Sequence, residues 1–200
     1  MKKIISNLLF IIFLSCSVFG QDSTTIKVYF LYGSRPCKGY IKEKKLFGGI
    51  HGGHVSIGIG SIIGGFTQYN RFHIFSHKKK LHSIFLIKNK NQFLFDTIGR
   101  RYATFDIPLA DSQFVKIKNI FDDYIAQTPY DYAFFGMRCA SAAYDILSQI
   151  GILKQRTRFG NIISNFYPKK LRKKLFKIAK ENHYKIAMTK GRLSRKWEND

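Results

Sequence analysis

His54-Val55-Ser56-Ile57-Gly58-Ile59 alternates, with Val55, Ile57 and Ile59 on one face. That is the period of a strand half-buried against a core. Gly60-Ser61 makes a two-residue turn after it, and Ser61 to Tyr69 reads as the returning strand of a hairpin. Upstream, Arg35 to Gly53 holds one proline, five glycines and several lysines. It is a long loop, of the kind that tends to carry function, and it runs straight into His54. Before it, Ile26 to Leu31 reads as a first strand, bounded by Gly33-Ser34. Downstream, Ser83 to Ile87 and Gln92 to Phe95 read as a second pair joined by Lys88-Asn89-Lys90-Asn91, and Thr104 to Ile107 as a short strand before Pro108. The first half of the chain therefore predicts an antiparallel sheet.

The pattern then changes period. Asp111 or Ser112 is placed to cap a helix whose apolar residues, Phe114, Ile117, Phe121, Tyr124 and Ile125, keep helical spacing up to Thr128-Pro129. A second helix is predicted from about Met137 to Ile150, with Gly151 as its C′ residue. A sheet followed by segregated helices is an α+β arrangement.

Two residues from these regions form a chemical pair. Cys139 falls in the first turn of its helix, where unsatisfied backbone N–H groups favour an anion and lower a thiol pKa. Arg138 adds positive charge beside it. His54, at the mouth of its strand behind Gly52-Gly53, is the candidate base. His51 lies inside the glycine loop, and His73, His77, His82 and His183 sit in polar or lysine-rich surroundings. Two bland readings of Cys139 stand beside the catalytic one. One is a disulfide with Cys37. The other is an inert core thiol, because Cys139 shares a helix face with Ala143, Ile146 and Ile150. The small residues that open the helix, Cys139-Ala140-Ser141-Ala142-Ala143, favour close approach to a strand with room for a substrate.

Gly-Gly-His54-Val-Ser-Ile, followed after strands and a helix by Tyr-Asp-Tyr-Ala-Phe-Phe-Gly-Met-Arg-Cys139-Ala-Ser-Ala-Ala-Tyr-Asp-Ile-Leu, resembles the circularly permuted NlpC/P60 group. That group belongs to the papain-like superfamily and includes YiiX-like and lecithin:retinol-acyltransferase-like proteins. The likeness spans roughly Lys27 to Leu153, with the histidine ahead of the cysteine. It implies a papain-like fold, permuted, with its antiparallel sheet packed against helices. It also implies a Cys–His pair for acyl-transfer chemistry on an amide, a thioester or an ester. Members usually orient the histidine with a third polar residue on the neighbouring strand. With Gly60-Ser61 as the turn, that residue falls near Thr67 or Gln68, and Gln68 is the choice because its amide oxygen can accept the imidazole N–H. His73 remains an alternative, a register slip of one would flip the face, and no acidic third member is evident. The oxyanion would be met by the backbone N–H of Cys139 and a second donor such as the Tyr130 or Tyr132 hydroxyl. No metal or other cofactor is expected, since no cysteine or histidine cluster has zinc spacing.

Charge and targeting set the surroundings. Lys2-Lys3, the apolar run Ile4 to Leu14 and the small and polar residues up to Gln21 read as a secretory signal over residues 1–20. The run is too short to span a bilayer. Lipidation at Cys16 is the weaker alternative. Residues 21–200 are about one domain's length. The formal charge of +22 predicts attraction to polyanions. For an exported chain these are anionic lipid or envelope polymers, and nucleic acid ranks last. Residues 169–200 form a basic C-terminal segment. In it Leu171, Leu175 and Ile178 make an apolar stripe among lysines, and Tyr184 to Thr189 a last strand. The stripe suits a headgroup-binding helix, but packing on the domain with the charges solvated is the preferred reading. The expectation is a periplasmic or secreted cysteine hydrolase acting on a peptide or acyl substrate of the cell envelope. Its alternative is a non-catalytic, basic envelope-binding protein of the same fold.

Overall fold

Period-two alternation sorts the strands of this chain onto two faces of one sheet. The computed structural model describes residues 24–33, 53–71, 73–78 and 81–191; residues 1–20, Cys37 and most of the glycine loop lie outside them. Strand β1 (Thr25–Leu31) is central, flanked by β2 (His54–Ile59) and β6 (Tyr102–Pro108). Outside these lie β3 (Ile62–Gln68) and then β5 (Ser83–Asn89) on one side, and β8 (Lys185–Thr189) on the other. All neighbours in this six-stranded sheet are antiparallel. A separate parallel ribbon joins β4 (His73–Phe75) to β7 (Ala133–Phe135).

Ile26, Val28, Phe30, Val55, Ile57, Phe66, Phe85, Phe105 and Ile107 turn to one face and are buried there. Three helices cover them: α2 (Asp111–Ala126), α3 (Cys139–Gln149) and α5 (Pro168–Glu181). Phe121 of α2 meets Phe85 edge-on with ring centroids 4.9 Å apart, and Phe176 of α5 meets Phe105 at 4.9 Å. On the opposite face Tyr29, Leu31 and Ile63 form a smaller cluster, closed by Phe93 of helix α1 (Lys90–Asp96). A short helix α4 (Arg158–Ser164) links α3 to α5. The architecture is thus α+β, an antiparallel sheet packed against helices. Among the described residues no helix is long and apolar enough to cross a membrane.

Local chemistry explains where the elements start and stop. Gln92 to Phe95 is helix rather than strand, which corrects the expected second hairpin. Asn89 caps it, its side-chain oxygen accepting the Gln92 N–H at 2.7 Å, so the polar run at Lys88-Asn89-Lys90-Asn91 is a cap and first turn, not a hairpin loop. Helix α2 begins at Asp111, but its cap residue is Ala110, whose N–H goes to the Gln113 carboxamide at 2.9 Å. Helix α3 ends as expected at Gly151, which has φ +81°. Gly151 N–H reaches Ser148 O at 3.1 Å and Ile152 N–H reaches Leu147 O at 2.9 Å, the two bonds of a Schellman end.

Helix α5 docks with its apolar stripe inward, the preferred of its two readings. Leu171, Leu175 and Ala179 are buried in the main core, Arg172 is fully buried with its guanidinium 3.8 Å from the Tyr32 ring centroid, and Lys173 and Lys177 face solvent. Leu175→Ala is therefore expected to cost about 2–5 kcal/mol, against a change within about 0.5 kcal/mol for Lys173→Ala. Urea denaturation of both variants checks this, and equal small effects would mean that α5 is not part of the core.

Candidate active site

Helix α3 crosses β2 and β3 through its smallest residues. Cys139, Ala142, Ala143 and Ile146 lie against Val55, Ile57, Gly64 and Phe66. Its start is set by Arg138 in an extended conformation, whose N–H is accepted by Ser141 Oγ at 2.8 Å. Cys139 is the first helical residue, a free and buried thiol. Its sulfur receives the N–H groups of Val55 and Ala140 and the hydroxyl of Tyr132, and Arg138 adds positive charge. These donors favour a thiolate, but burial outweighs them and pushes the thiol pKa up. Burial, reinforced by the neighbouring thiol, likewise raises the Tyr132 phenol.

His54 begins β2 after Gly53, which has φ +86° and leaves no room for a side chain: a Cβ there would lie 2.4 Å from Leu31 O. The imidazole turns away from α3. Because Val55, Ile57 and Ile59 carry the bulk that the helices need, His54, Ser56 and Gly58 fall on the opposite face. There His54 is partly buried in a cleft of about 230 Å³ with Ser56, Gly65, Lys88, Phe93 and Asp96 among its walls. Burial, with a smaller contribution from Lys88, pushes its pKa down to about 4. The imidazole is neutral at physiological pH.

The structure thus brings Cys139 to the backbone of Val55, next in the chain to His54, but not to the imidazole itself. Among the described residues no hydrogen bond joins the two side chains. This corrects the expectation of a preformed pair, and the physical reason is the strand alternation just described. Gln68 lines the same cleft, but its side chain donates to Asn70 O at 2.9 Å rather than meeting the ring. The β2–β3 ladder ends at Ile57↔Gly64; continued for three residues its register would set His54 opposite Thr67, which lines the same cleft. Tyr130 is a packing residue: its hydroxyl meets Tyr124 Oη at 2.7 Å and donates to Asp145. Tyr132 is the tyrosine at the thiol.

One cluster carried no signal in the sequence. Asp131, its side chain fully buried, accepts His73 Nδ1 at 2.5 Å and the backbone N–H groups of His77 and His82 at 2.9 and 2.8 Å. The His77 and His82 rings stand 4.1 and 4.3 Å from that of His73. Burial alone would raise the Asp131 pKa, but the N–H groups of His82 and His77 and the His73 ring outweigh it and hold the carboxyl below its ordinary range. In the sequence Tyr130 and Tyr132 have a candidate role and Asp131 none; only the fold brings Asp131 to the histidines. Among the described residues no group of three or more His, Cys, Asp or Glu is placed to hold a metal ion.

Comparison of the chain with protein-family models, with curated proteins and with solved structures gives no match.

The two shifts separate on the pH axis. His54 is protonated more readily in the unfolded chain, so folding loses stability as pH falls from 6.5 to about 4, by roughly 3 kcal/mol. The Asp131 contribution is present above the ordinary carboxylate pKa and fades as pH falls through the lower folded value. Denaturation at stepped pH is expected to show the first loss in the native chain and not in His54→Ala. A His54 ring resonance titrating near 6.5 by NMR would contradict the assigned environment.

Proposed function

We propose that the protein is an exported cysteine hydrolase of the circularly permuted papain-like kind. Cys139 is its nucleophile and His54 its general base, acting on an amide or ester of the cell envelope. The observation that carries this reading is a shared wall. Ser56 and Gly65 line both the cleft that holds His54 and the narrow void beside Cys139, so thiol and imidazole back onto the same two residues. A Cβ on Gly65 would lie 2.9 Å from His54 Nε2 and 2.8 Å from Ser56 Oγ; only glycine keeps that wall so thin. The β2–β3 ladder stops at Ile57↔Gly64, so on that side His54 is not held by strand pairing.

In this reading the described arrangement is the resting state. A thiol with a raised pKa and an imidazole with a lowered one stay neutral, so no preformed thiolate–imidazolium pair exists. His54 must turn toward Cys139 past the unpaired start of β2 on its β3 side to take the proton as Cys139 Sγ attacks the carbonyl carbon. The oxyanion is met by the Cys139 N–H and the Tyr132 hydroxyl. The leaving amine or alcohol takes the proton from His54, and water, deprotonated by His54, then frees the acid and restores the thiol. Gln68, which lines the same cleft, would steady the ring only after releasing its bond to Asn70.

A second reading rests on the separation itself. A buried thiol facing away from the histidine suits a non-catalytic, basic envelope-binding domain. Reaction of Cys139 with an activated acyl ester, followed by intact mass against pH, distinguishes the two. The enzyme reading expects transient acyl adducts that form and clear below about pH 7, are absent in Cys139→Ala, and turn over at least about a hundredfold more slowly in His54→Ala. Slow labelling that follows only a raised thiol pKa and is unchanged by His54→Ala would leave the binding domain.

A further inference from the structure

We infer that the β4–β7 ribbon is a membrane-docking surface for bilayers with anionic headgroups. The ribbon stands outside the main sheet and carries three large apolar side chains in water: Ile74 is 61% exposed, Phe75 66% and Phe135 56%. Phe75 and Phe135 form one patch, while Ile74, the residue before Phe75 on β4, alternates to the other face of the ribbon. Phe75 is paired with Phe135 across the ribbon, and their rings stack at 5.5 Å with an interplanar angle of 26°.

The patch is held in place from beneath. His73 is tied to buried Asp131, which also accepts the backbone N–H groups of His77 and His82. Phe134, which shares β7 with Phe135, packs edge-on against Phe166 at 5.5 Å. A surface braced this way presents aromatic rings without the ordering cost of a free loop.

Charge selects the occupant. Arg71 and Lys78 flank β4 in the sequence and are exposed. Across Tyr69 to Lys78 and Thr128 to Arg138 the one carboxylate is Asp131, which is buried. Aromatic side chains rimmed by cations are what the interfacial layer of an anionic bilayer accepts. A protein partner fits less well. The two stacked rings offer a few hundred Å² at most, below the roughly 800 Å² per partner of a stable protein interface. Phe135 lies four residues before Cys139, so docking would bring the start of α3 toward the lipid surface. The inference stands whether or not Cys139 is catalytic.

Vesicle co-sedimentation of the protein in its exported form tests it, with phosphatidylcholine vesicles compared against the same vesicles carrying phosphatidylglycerol. Binding is expected only with the anionic lipid, and to fall at least tenfold in Phe75→Ser/Phe135→Ser with an unchanged melting temperature. Charge removal on α5, through Lys173→Gln/Lys177→Gln, is expected to weaken binding less. A direct readout is the indole emission of Phe75→Trp in a Trp197→Phe background, which should shift to the blue and be quenched by brominated lipid. The proposal is overturned if the double serine variant binds as the native chain does, or if the emission of Phe75→Trp stays that of an indole in water. Conversion of a dimer to a monomer by the double serine variant, with vesicle binding untouched, would also overturn it and assign the patch to a second copy.

Discussion

Everything at the centre of this protein follows from a contact between a strand of alternating bulk and a helix that starts with small residues. Val55 and Ile57 must be buried, and Cys139, Ala142 and Ala143 are small enough to let α3 press onto them. That contact sets the height of α3 over the sheet, brings the thiol to the Val55 N–H, and leaves His54 and Ser56 facing the far side. The sheet could reverse its faces only by exposing Val55, Ile57 and Ile59 together, and each such side chain is worth about 1.5–3 kcal/mol when buried. His54, as the first residue of the strand and next to a glycine with φ +86°, is the member with most freedom to depart from the pattern.

Burial governs the chemistry of both groups in opposite directions. It disfavours the charged form of each, raising the thiol and lowering the imidazole. Donors at the sulfur work against this: two backbone N–H groups, the Tyr132 hydroxyl and the positive end of α3 would all stabilise a thiolate once water or a base reached it. The donors at the sulfur are those a thiolate would use, although burial outweighs them. A core cysteine with no chemical task needs none of these donors, which is why the catalytic reading is preferred to the inert one although the imidazole stands apart.

The elements legible in the sequence are those whose burial sets a clear period. The β2–β3 hairpin, β1, β6, α2 and α3 with its glycine end fall where alternation, helical spacing and Gly151 place them. Helix α1 reads as a strand because its cap, Asn89-Lys90-Asn91, has the composition of a turn, and because Gln92 to Phe95 is too short to distinguish helix from strand by period. The β4–β7 ribbon, three residues a strand, is invisible for the same reason. At the site, Cys139 at a helix start is readable, and so is the chemistry of Tyr132 as a candidate donor. The facing of His54 is also latent: if Val55 and Ile57 pack on the helix that carries Cys139, alternation sends His54 the other way. The Asp131 cluster is not, since it joins residues 49 to 58 positions apart that no local pattern relates.

The charge of the chain takes a different meaning once the fold is known. Helix α5 uses its apolar stripe internally, with Leu171 and Leu175 in the main core, so it has no hydrophobic face left to lay on a bilayer. Its lysines can supply only long-range attraction, screened within about 8–10 Å at ordinary salt. Attraction of that kind concentrates a protein near an anionic surface without fixing its orientation. Orientation needs an apolar element that leaves water, and the β4–β7 ribbon has one that the core does not claim. On the proposed membrane reading the two tasks fall to different elements, because the apolar stripe of α5 is buried in the core while Phe75 and Phe135 of the ribbon are exposed.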